Sequence, residues 1–424
     1  MSADVFHRRE LIAAPSSLAR RITLYVVMLL LSFLMVEVGF RAVLAFRVGP
    51  SVLYYGTPFQ RQNVPVKTDN HTVMKHGNPQ QGYTKFFPNE LKVDHDPTTN
   101  ETFRVSINSR GFRGGEIDET KKPGVTRIIT LGSSSTFGYY DRDNETYPYY
   151  LEQILNKSSE VTGRFEVINL GIPHLRSEEI LSLFQAEAIP LRPDVVTFYE
   201  GVNDAARGNP SVNEGDDRRD PGQRPKQSAT TPVKAFYGIV RDHLVTVAFI
   251  DSIRQNMIAE PTFNRGEVER HMTGTSEHFI ENIDKLYREC QQRGIIFVAL
   301  KQQAKSHLVK DADMKGVTYA QEVHMVKDKL EKEGAIKVRE LHLLAHSTLT
   351  TDLEQWATSN HVPFVNIQKA LDQDRDVLMS WVHLSPRGNR MIANALAEEI
   401  IRVVGHHIVH QPESRTQLTG SFGS

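Results

Sequence analysis

Residues 127–138 read RIITLGSSSTFG, and this stretch is the strongest indication of the fold. Arg127 to Leu131 is a short apolar run with β-branched side chains, which is typical of a buried strand. A turn rich in glycine and serine follows, and the residues from there to about Leu155 have a helical pattern. A strand that passes through such a turn into a helix is the unit from which parallel α/β sheets are built.

Similar apolar runs recur along the chain with helical segments between them, at residues 165–170, 194–199, 294–300 and 362–367. Their β-branched content and the intervening helices predict an α/β fold in which a parallel sheet carries helices on both faces, giving three layers. A last helix is predicted from Pro386 to about Val404, because Ser385 is a suitable N-cap and proline is favoured at the first helical position.

The composition excludes several classes of function. The chain has 424 residues, of which 39% are hydrophobic and 24% charged, which is enough for a well-formed core. Its formal net charge is -1, so nothing in the charge balance points to a nucleic-acid partner. Cys290 is the single cysteine, which excludes an intramolecular disulfide and a multi-cysteine zinc site. The histidines near the C-terminus lack the spacing of a ligand set, so no metal and no cofactor are expected.

The N-terminal part contains an apolar segment, residues 22–46, that is long enough as a helix to cross a bilayer. Glu37 and Arg41 interrupt it at a spacing of four residues, where the two side chains can pair on one helix face. Arginines precede the segment, which predicts a cytoplasmic N-terminus of residues 1–21. We therefore expect a single-pass, signal-anchor type of membrane protein whose main domain is extracytoplasmic, on the periplasmic side.

A cleaved signal peptide is the alternative for this segment. Val43-Leu44-Ala45 loosely fits a small-residue cleavage site. The charged residues between the uninterrupted apolar run and that site favour an uncleaved anchor.

The remaining chain is predicted to consist of a main domain with attachments. Residues 47–125 are polar and turn-rich and are interpreted as an accessory or linker region, and residues 126–405 as the main domain. Insertions are expected at residues 205–275 and 301–347, and a disordered tail at residues 406–424. Arginines 104, 110 and 113 of the accessory region are interpreted as solvated turn residues.

Unusual polar residues follow three of the predicted strands, where an open α/β sheet forms its sites. Ser134 follows the first strand, Gly171 the second and Asn203 the third, while His383 lies far downstream in a loop before the last helix. Each of these features is also typical of an ordinary turn or cap when taken alone. A phosphate-binding loop after the first strand is excluded, because no Gly-Lys-Ser/Thr ending is present.

The order of these blocks is more specific than any one of them. A Gly-x-Ser block, an isolated Gly after a strand, a Gly-x-Asn-Asp block and a His-Leu-Ser-Pro-x-Gly-Asn block occur in that order within residues 127–404. This arrangement resembles the SGNH (GDSL-like) hydrolase family, whose sheet is flavodoxin-like. The run at residues 108–114 is similar to the segment that leads into the domain in membrane-anchored members.

The resemblance implies a role for each matching residue. Ser134 corresponds to the nucleophile and His383 to the general base. Gly171, through its backbone N–H, and Asn203, through its side-chain amide, correspond to oxyanion-hole donors, together with the N–H of Ser134 itself. Ser133 stands where the family's Gly-Asp-Ser block usually has Asp. Acyl transfer through a serine ester is the chemistry implied.

One position departs from the family pattern in a way that bears on catalysis. Ser380 stands three residues before His383, where the family usually has an Asp. Asp376 or Ser380 itself is therefore the candidate acid or orienting residue, and Asp372 and Asp374 lie close upstream. Losing the acid of a Ser-His-Asp triad costs about 10⁴ in rate in serine proteases, so a Ser-His dyad with local help is favoured.

The predicted function is that of a serine esterase or O-deacylase that hydrolyses an extracytoplasmic ester, such as an acylated envelope glycan. Trp381 and His174 are candidate substrate-lining residues because they lie beside the predicted site in sequence. Two alternatives stay open: an O-acyltransferase that uses the same serine, and a degenerate, non-catalytic domain in envelope assembly. The expected partners are a small-molecule or glycan ester and the membrane.

Overall fold

The computed structural model describes residues 17–48, 82–89, 91–97, 101–161, 163–207, 244, 246–247, 261–306 and 308–409. The chain divides into two compact units, one of residues 1–67 and 219–259 and one of residues 68–218 and 260–424. Most of the predicted insertion at residues 205–275 lies outside the described residues, and so do residues 410–424 of the predicted tail. Residues 406–409, which were expected to be part of the disordered tail, instead continue the last helix.

The first unit contains a long helix, Ser17–Val48. Its segment Arg20–Val43 has a mean hydropathy of 2.2 and is long and apolar enough to cross a membrane, a property that signal sequences share. The expected pair on this helix is confirmed, since Arg41 Nε lies 2.8 Å from Glu37 Oε1. Glu37 also accepts hydrogen bonds from the backbone and side chain of Thr246, in the same unit.

The second unit contains the sheet that the apolar runs predict. In chain order the strands are β1 (Leu91–His95), β2 (Thr102–Ser106), β3 (Val125–Gly132), β4 (Arg164–Asn169), β5 (Val195–Tyr199), β6 (Thr262–Asn264), β7 (Ile296–Lys301), β8 (Ala335–Lys337) and β9 (Phe364–Asn366). The main sheet has the order β4-β3-β5-β7-β9, and every pair in it is parallel. Strands β1 and β2, and likewise β6 and β8, form small antiparallel pairs.

Helices cover both faces of the main sheet, so the predicted α/β fold is confirmed. In β3, Ile129 and Leu131 enter one hydrophobic cluster while Ile128 enters the other, because successive strand side chains point to opposite faces. The α-helices of this unit are Ser134–Phe137, Tyr147–Lys157, Ser177–Leu183, Val202–Ala205, Arg265–Met272, Thr275–Gln292, Tyr319–Glu333, Val338–Ser359, Ile367–Leu371 and Pro386–Val409.

The segment before β3 packs into the core of this unit. Phe86 and Phe112 are buried in the same cluster as Phe137, and the rings of Phe86 and Phe137 stack with centroids 5.1 Å apart. Gly111 has a φ of 82°, and a Cβ there would lie 2.3 Å from the carbonyl oxygen of Phe86. The turn at residues 108–114 therefore needs a glycine both for its backbone conformation and for close packing.

Candidate active site

The candidate site lies at the carboxyl ends of three neighbouring strands. The helix Ser134–Phe137 follows β3, Gly171 follows β4, and the helix Val202–Ala205 with Asn203 follows β5. A Cβ on Gly171 would lie 2.3 Å from the backbone nitrogen of Phe137, so the turn after β4 approaches the Ser134 helix too closely for any side chain. The strand order therefore brings the first three predicted blocks to one edge of the sheet.

His383 joins this edge from the loop before the last helix. Its Nε2 lies 2.8 Å from Ser134 Oγ, and its Nδ1 lies 2.8 Å from Ser380 Oγ. The backbone N–H of His383 also donates to Ser380 Oγ, at 3.0 Å. The structure thus contains a hydrogen-bonded chain from Ser134 through the imidazole to Ser380.

Among the upstream acids, the structure gives Asp376 a different partner. Arg387 Nη2 donates to Asp376 Oδ1 at 3.1 Å and to Asp374 Oδ1 at 2.7 Å. Asp372 accepts a hydrogen bond from the backbone of Tyr319, at 2.8 Å. Of the two candidates for the orienting residue, it is Ser380 that reaches the imidazole, because Asp376 pairs with an exposed arginine.

The surroundings of His383 disfavour a charged imidazole. The rings of Tyr139 and Tyr140 each lie 5.3 Å from it. Burial lowers the pKa of His383 to about 3, and the nearby positive groups of His174, Arg339 and Lys92 contribute in the same direction. The imidazole is therefore neutral at physiological pH, which is the state in which a general base accepts a proton.

The three predicted oxyanion donors differ in their existing contacts. The N–H of Ser134 lies at the start of a helix, where backbone donors lack an intrahelical acceptor. Asn203 Nδ2 donates to the carbonyl of Leu175 at 3.0 Å, which occupies one of its two hydrogens. The Gly171 N–H donates to Asn169 Oδ1 at 2.9 Å. Close packing therefore explains why residue 171 is a glycine. The backbone N–H of Ser134 and one hydrogen of the Asn203 amide can still donate.

Glu200 is a site residue that the sequence interpretation missed. It is fully buried at the end of β5, accepts a hydrogen bond from Ser133 Oγ and accepts another from the Asn203 backbone N–H at 2.8 Å. Burial raises the pKa of Glu200 to about 7. Two features of the sequence could have indicated this contact. Ser133 stands where the family usually has Asp, and an acidic residue comes directly before the Gly-x-Asn-Asp block.

Arg113 is the second residue that was missed, because it is buried and not a solvated turn residue. Its guanidinium donates to the carbonyl oxygens of Phe137, Gly138 and Asp141 and pairs with Asp143 at 3.1 Å. Carbonyl groups at a helix end lack intrahelical donors, so Arg113 fixes the C-terminal end of the Ser134 helix from the accessory region.

Replacing Arg113 with methionine should weaken both stability and turnover. The change leaves three buried carbonyls without their donor, which we expect to cost roughly 2–4 kcal/mol of unfolding free energy and to lower kcat severalfold. Thermal unfolding and ester turnover measure these effects. Arg104→Met is the matched control because Arg104 is exposed on β2. Equal Tm and kcat values for the two variants would contradict the role of Arg113.

The two candidate substrate-lining residues differ in their exposure. His174 is exposed, with a φ of 70°, in the turn after Gly171. Trp381 is half-buried, with the Arg339 guanidinium 4.4 Å from its ring centroid and the His342 ring 5.9 Å away. Their proposed contact with substrate stays a prediction. Within the described part of the chain, no group of three or more His, Cys, Asp or Glu residues is arranged to hold a metal ion.

Comparison with known proteins adds a family match. Residues 130–325 match the model of the GDSL-like Lipase/Acylhydrolase family. The matched segment includes Ser134, Gly171 and Asn203 and ends before His383. No curated protein matches the chain.

Several solved structures resemble the chain at low identity. A GDSL-like lipase from Bacteroides thetaiotaomicron is 14% identical and covers 68% of this chain and 93% of its own, with a TM-score of 0.36. A lipase/acylhydrolase from Enterococcus faecalis is 15% identical and covers 66% of this chain and 96% of its own, with a TM-score of 0.36. A catalytic mutant of Axe2, an acetylxylan esterase from Geobacillus stearothermophilus, is 13% identical. It covers 65% of this chain and 94% of its own, also with a TM-score of 0.36.

Proposed function

Because the chain belongs, through residues 130–325, to the GDSL-like lipase/acylhydrolase family and is a serine hydrolase that acts on esters, we propose that Ser134 and His383 carry out this hydrolysis. The observation that carries the proposal is the 2.8 Å distance between Ser134 Oγ and His383 Nε2. A nucleophile and its base need this separation for proton transfer. The same distance argues against the degenerate, non-catalytic alternative.

The proposed reaction has two steps at one serine. His383 Nε2 accepts the proton of Ser134 Oγ as the oxygen attacks the ester carbonyl, and the imidazolium then protonates the departing alcohol. A water molecule, activated by the same imidazole, hydrolyses the acyl-serine and releases the acid. The N–H of Ser134 and the free hydrogen of the Asn203 amide are placed to stabilise the oxyanion in both steps.

Ser380 has the role of orienting the imidazole in this scheme. For Nε2 to accept a proton, Nδ1 must carry the other one, and Ser380 Oγ then accepts the hydrogen bond from Nδ1–H at 2.8 Å. A hydroxyl has no negative charge with which to stabilise the imidazolium that forms in the reaction. We therefore expect slower turnover than in an enzyme with a carboxylate at this position.

The proposed substrate is an ester outside the cytoplasm, of the type found on acylated envelope glycans. The apolar helix segment Arg20–Val43 supports an anchored protein. Arg20 and Arg21 at its N-terminal end support a cytoplasmic N-terminus, and a periplasmic location of the main domain is the corresponding part of the proposal.

The test of this proposal uses the full chain purified in detergent. We expect turnover of p-nitrophenyl acetate and covalent labelling by a fluorophosphonate, with the adduct mapped by mass spectrometry to the peptide that contains Ser134. Labelling at another serine, or neither labelling nor turnover, would disprove the assignment. With an acylated glycan as substrate, free acid supports hydrolysis, whereas acyl groups on an added acceptor glycan would reassign the chain as an acyltransferase.

Placing a carboxylate beside the imidazole should change both rate and pH dependence. We expect Ser380→Asp to raise the pKa of His383 from about 3 towards its ordinary range and to increase kcat at pH 8 by about tenfold. Because the base works only when neutral, the ratio of variant to wild-type activity should fall as the pH is lowered through the raised pKa. Rates of p-nitrophenyl acetate hydrolysis from pH 5 to 9 measure that ratio.

Ser380→Ala provides the opposite change at the same position. It removes the acceptor for Nδ1–H, and we expect lower activity at every pH. A Ser380→Asp variant whose activity keeps a constant ratio to wild type across this range would show that residue 380 does not act on His383.

A further inference from the structure

Glu200 joins the two turns on which the proposed chemistry depends. One carboxylate oxygen accepts from Ser133 Oγ, in the residue directly before the nucleophile. The other accepts from the backbone N–H of Asn203, the residue that carries the oxyanion amide. Glu200 is completely inaccessible to solvent, and Ser133 is as well. A single buried side chain therefore connects the ends of β3 and β5 at the site.

We propose that Glu200 is a positioning residue that sets the distance between the Ser134 nucleophile and the Asn203 oxyanion donor. The inference rests on the proposed function of Ser134, and it adds a residue that does not itself touch substrate. Its two oxygens act as a bridge whose span fixes the relative position of the two turns.

The two turns need such a bridge because each is short. The helices Ser134–Phe137 and Val202–Ala205 have four residues each, and only two i→i−4 backbone hydrogen bonds hold each of them, so neither is rigid by itself. Misplacement of a catalytic group by 1 Å can cost about 10² in rate. A hydrogen bond to a fixed, buried carboxylate is among the stronger means of preventing such movement.

The groups that face Glu200 are few and can be named. Ser133 approaches from the end of β3, and the backbone N–H groups of Gly201 and Asn203 approach from its own turn. Tyr199 precedes it in β5, and the buried carboxyl of Asp204, whose pKa burial raises to about 6, follows it. Asp204 in turn accepts hydrogen bonds from the backbone and hydroxyl of Ser177. The only other carboxyl among these groups is therefore already bonded elsewhere.

The first test introduces a competing charge at the bridge. Ser133→Asp places a second carboxyl against Glu200 in a buried site, where two neighbouring carboxylates disfavour each other's ionised form. We expect kcat to fall by about 10² while KM changes little, because the turns separate. Adding Glu200→Gln to this variant should restore most of the lost activity, since an amide can donate to the new carboxylate.

The second test uses pH to separate positioning from general stability. Glutamine presents one acceptor and one donor, as a protonated Glu200 does, so it mimics the low-pH form of the bridge. We expect the ratio of wild-type to Glu200→Gln kcat to be close to one at pH 5.5 and to rise to roughly tenfold at pH 8.5, where Glu200 is ionised. A residue that serves only to stabilise the fold would give a ratio independent of pH at equal fractions folded.

Glu152→Gln is the matched control for the pH experiment. Glu152, on the helix Tyr147–Lys157, is a partly buried carboxyl whose pKa is raised by burial. It accepts a hydrogen bond from the backbone N–H of Val167 in β4, at 2.8 Å. The same chemical change there should leave kcat equal to wild type at every pH.

The outcomes separate this inference from the proposed function. If the wild-type chain neither turns over esters nor is labelled by a fluorophosphonate, the proposed function itself fails. If the wild type is labelled at Ser134 but Ser133→Asp keeps full activity, or if Glu200→Gln shows no pH-dependent ratio, the bridge is overturned and the function stands. Loss in Ser133→Asp with recovery in the double variant confirms the bridge.

Discussion

Replacing Ser134 with alanine is expected to lower kcat for p-nitrophenyl acetate by about 10⁴-fold or more, because covalent catalysis has no other nucleophile at this position. Ser134 Oγ is the hydroxyl that lies 2.8 Å from His383 Nε2. The variant keeps the backbone N–H of residue 134, so the proposed oxyanion donors stay in place and a small residual rate is expected. Steady-state kinetics on the full chain, with the detection limit set by buffer alone, measure the loss.

Ser135→Ala is the control that identifies the correct serine among three consecutive ones. Ser135 Oγ donates to the carbonyl of Val382 at 3.3 Å and is not the hydroxyl that meets the imidazole. We expect this variant to retain most of its activity, and both variants to unfold near the wild-type Tm. The assignment fails if Ser135→Ala is inactive while Ser134→Ala remains active.

Replacing Asn203 with alanine has the second largest expected effect, a loss of about 10²–10³ in kcat with little change in KM. The amide is an oxyanion donor in the proposed mechanism, and its contribution exists mainly when the carbonyl oxygen becomes negative. A boronic acid, which forms a tetrahedral adduct with a nucleophilic serine, should bind more weakly to this variant by a similar factor.

Asn203→Asp tests the same role more specifically. It keeps the size of the side chain but replaces the amide donor with a carboxylate, which repels an oxyanion. We expect its loss to equal or exceed that of Asn203→Ala. An increase in KM with unchanged kcat, in either variant, would show that Asn203 contributes to substrate binding and not to the transition state.

The sheet was predictable from the sequence because its strands are locally encoded. Runs such as residues 127–131 and 194–199 are buried on both faces, so their apolar, β-branched character identifies them without knowledge of their partners. The positions of Ser134, Gly171 and Asn203 directly after strands then follow from the topology. His383 could be placed only through the order of blocks, since its contact with Ser134 spans a large part of the chain.

The contacts that were missed are those that local pattern does not encode. Arg113 has the sequence context of an exposed turn, yet it is buried because the end of the Ser134 helix supplies carbonyls for its guanidinium. The pairing of Ser133 with Glu200 joins two strand ends whose separation in sequence hides the contact. The choice between Asp376 and Ser380 depended on Arg387, a cation in the first turn of the last helix that pairs with Asp376.

The position of Arg113 has a consequence for dissecting this protein. A fragment that begins at residue 130, where the family match begins, would contain Ser134, the proposed oxyanion donors and His383. It would lack the Arg113 guanidinium, which bonds to the carbonyls at the end of the Ser134 helix. It would also lack Phe86 and Phe112, which fill the space beneath that helix. The candidate catalytic part of this chain therefore depends on residues upstream of the family match, and a truncated or grafted version should begin upstream of Phe86.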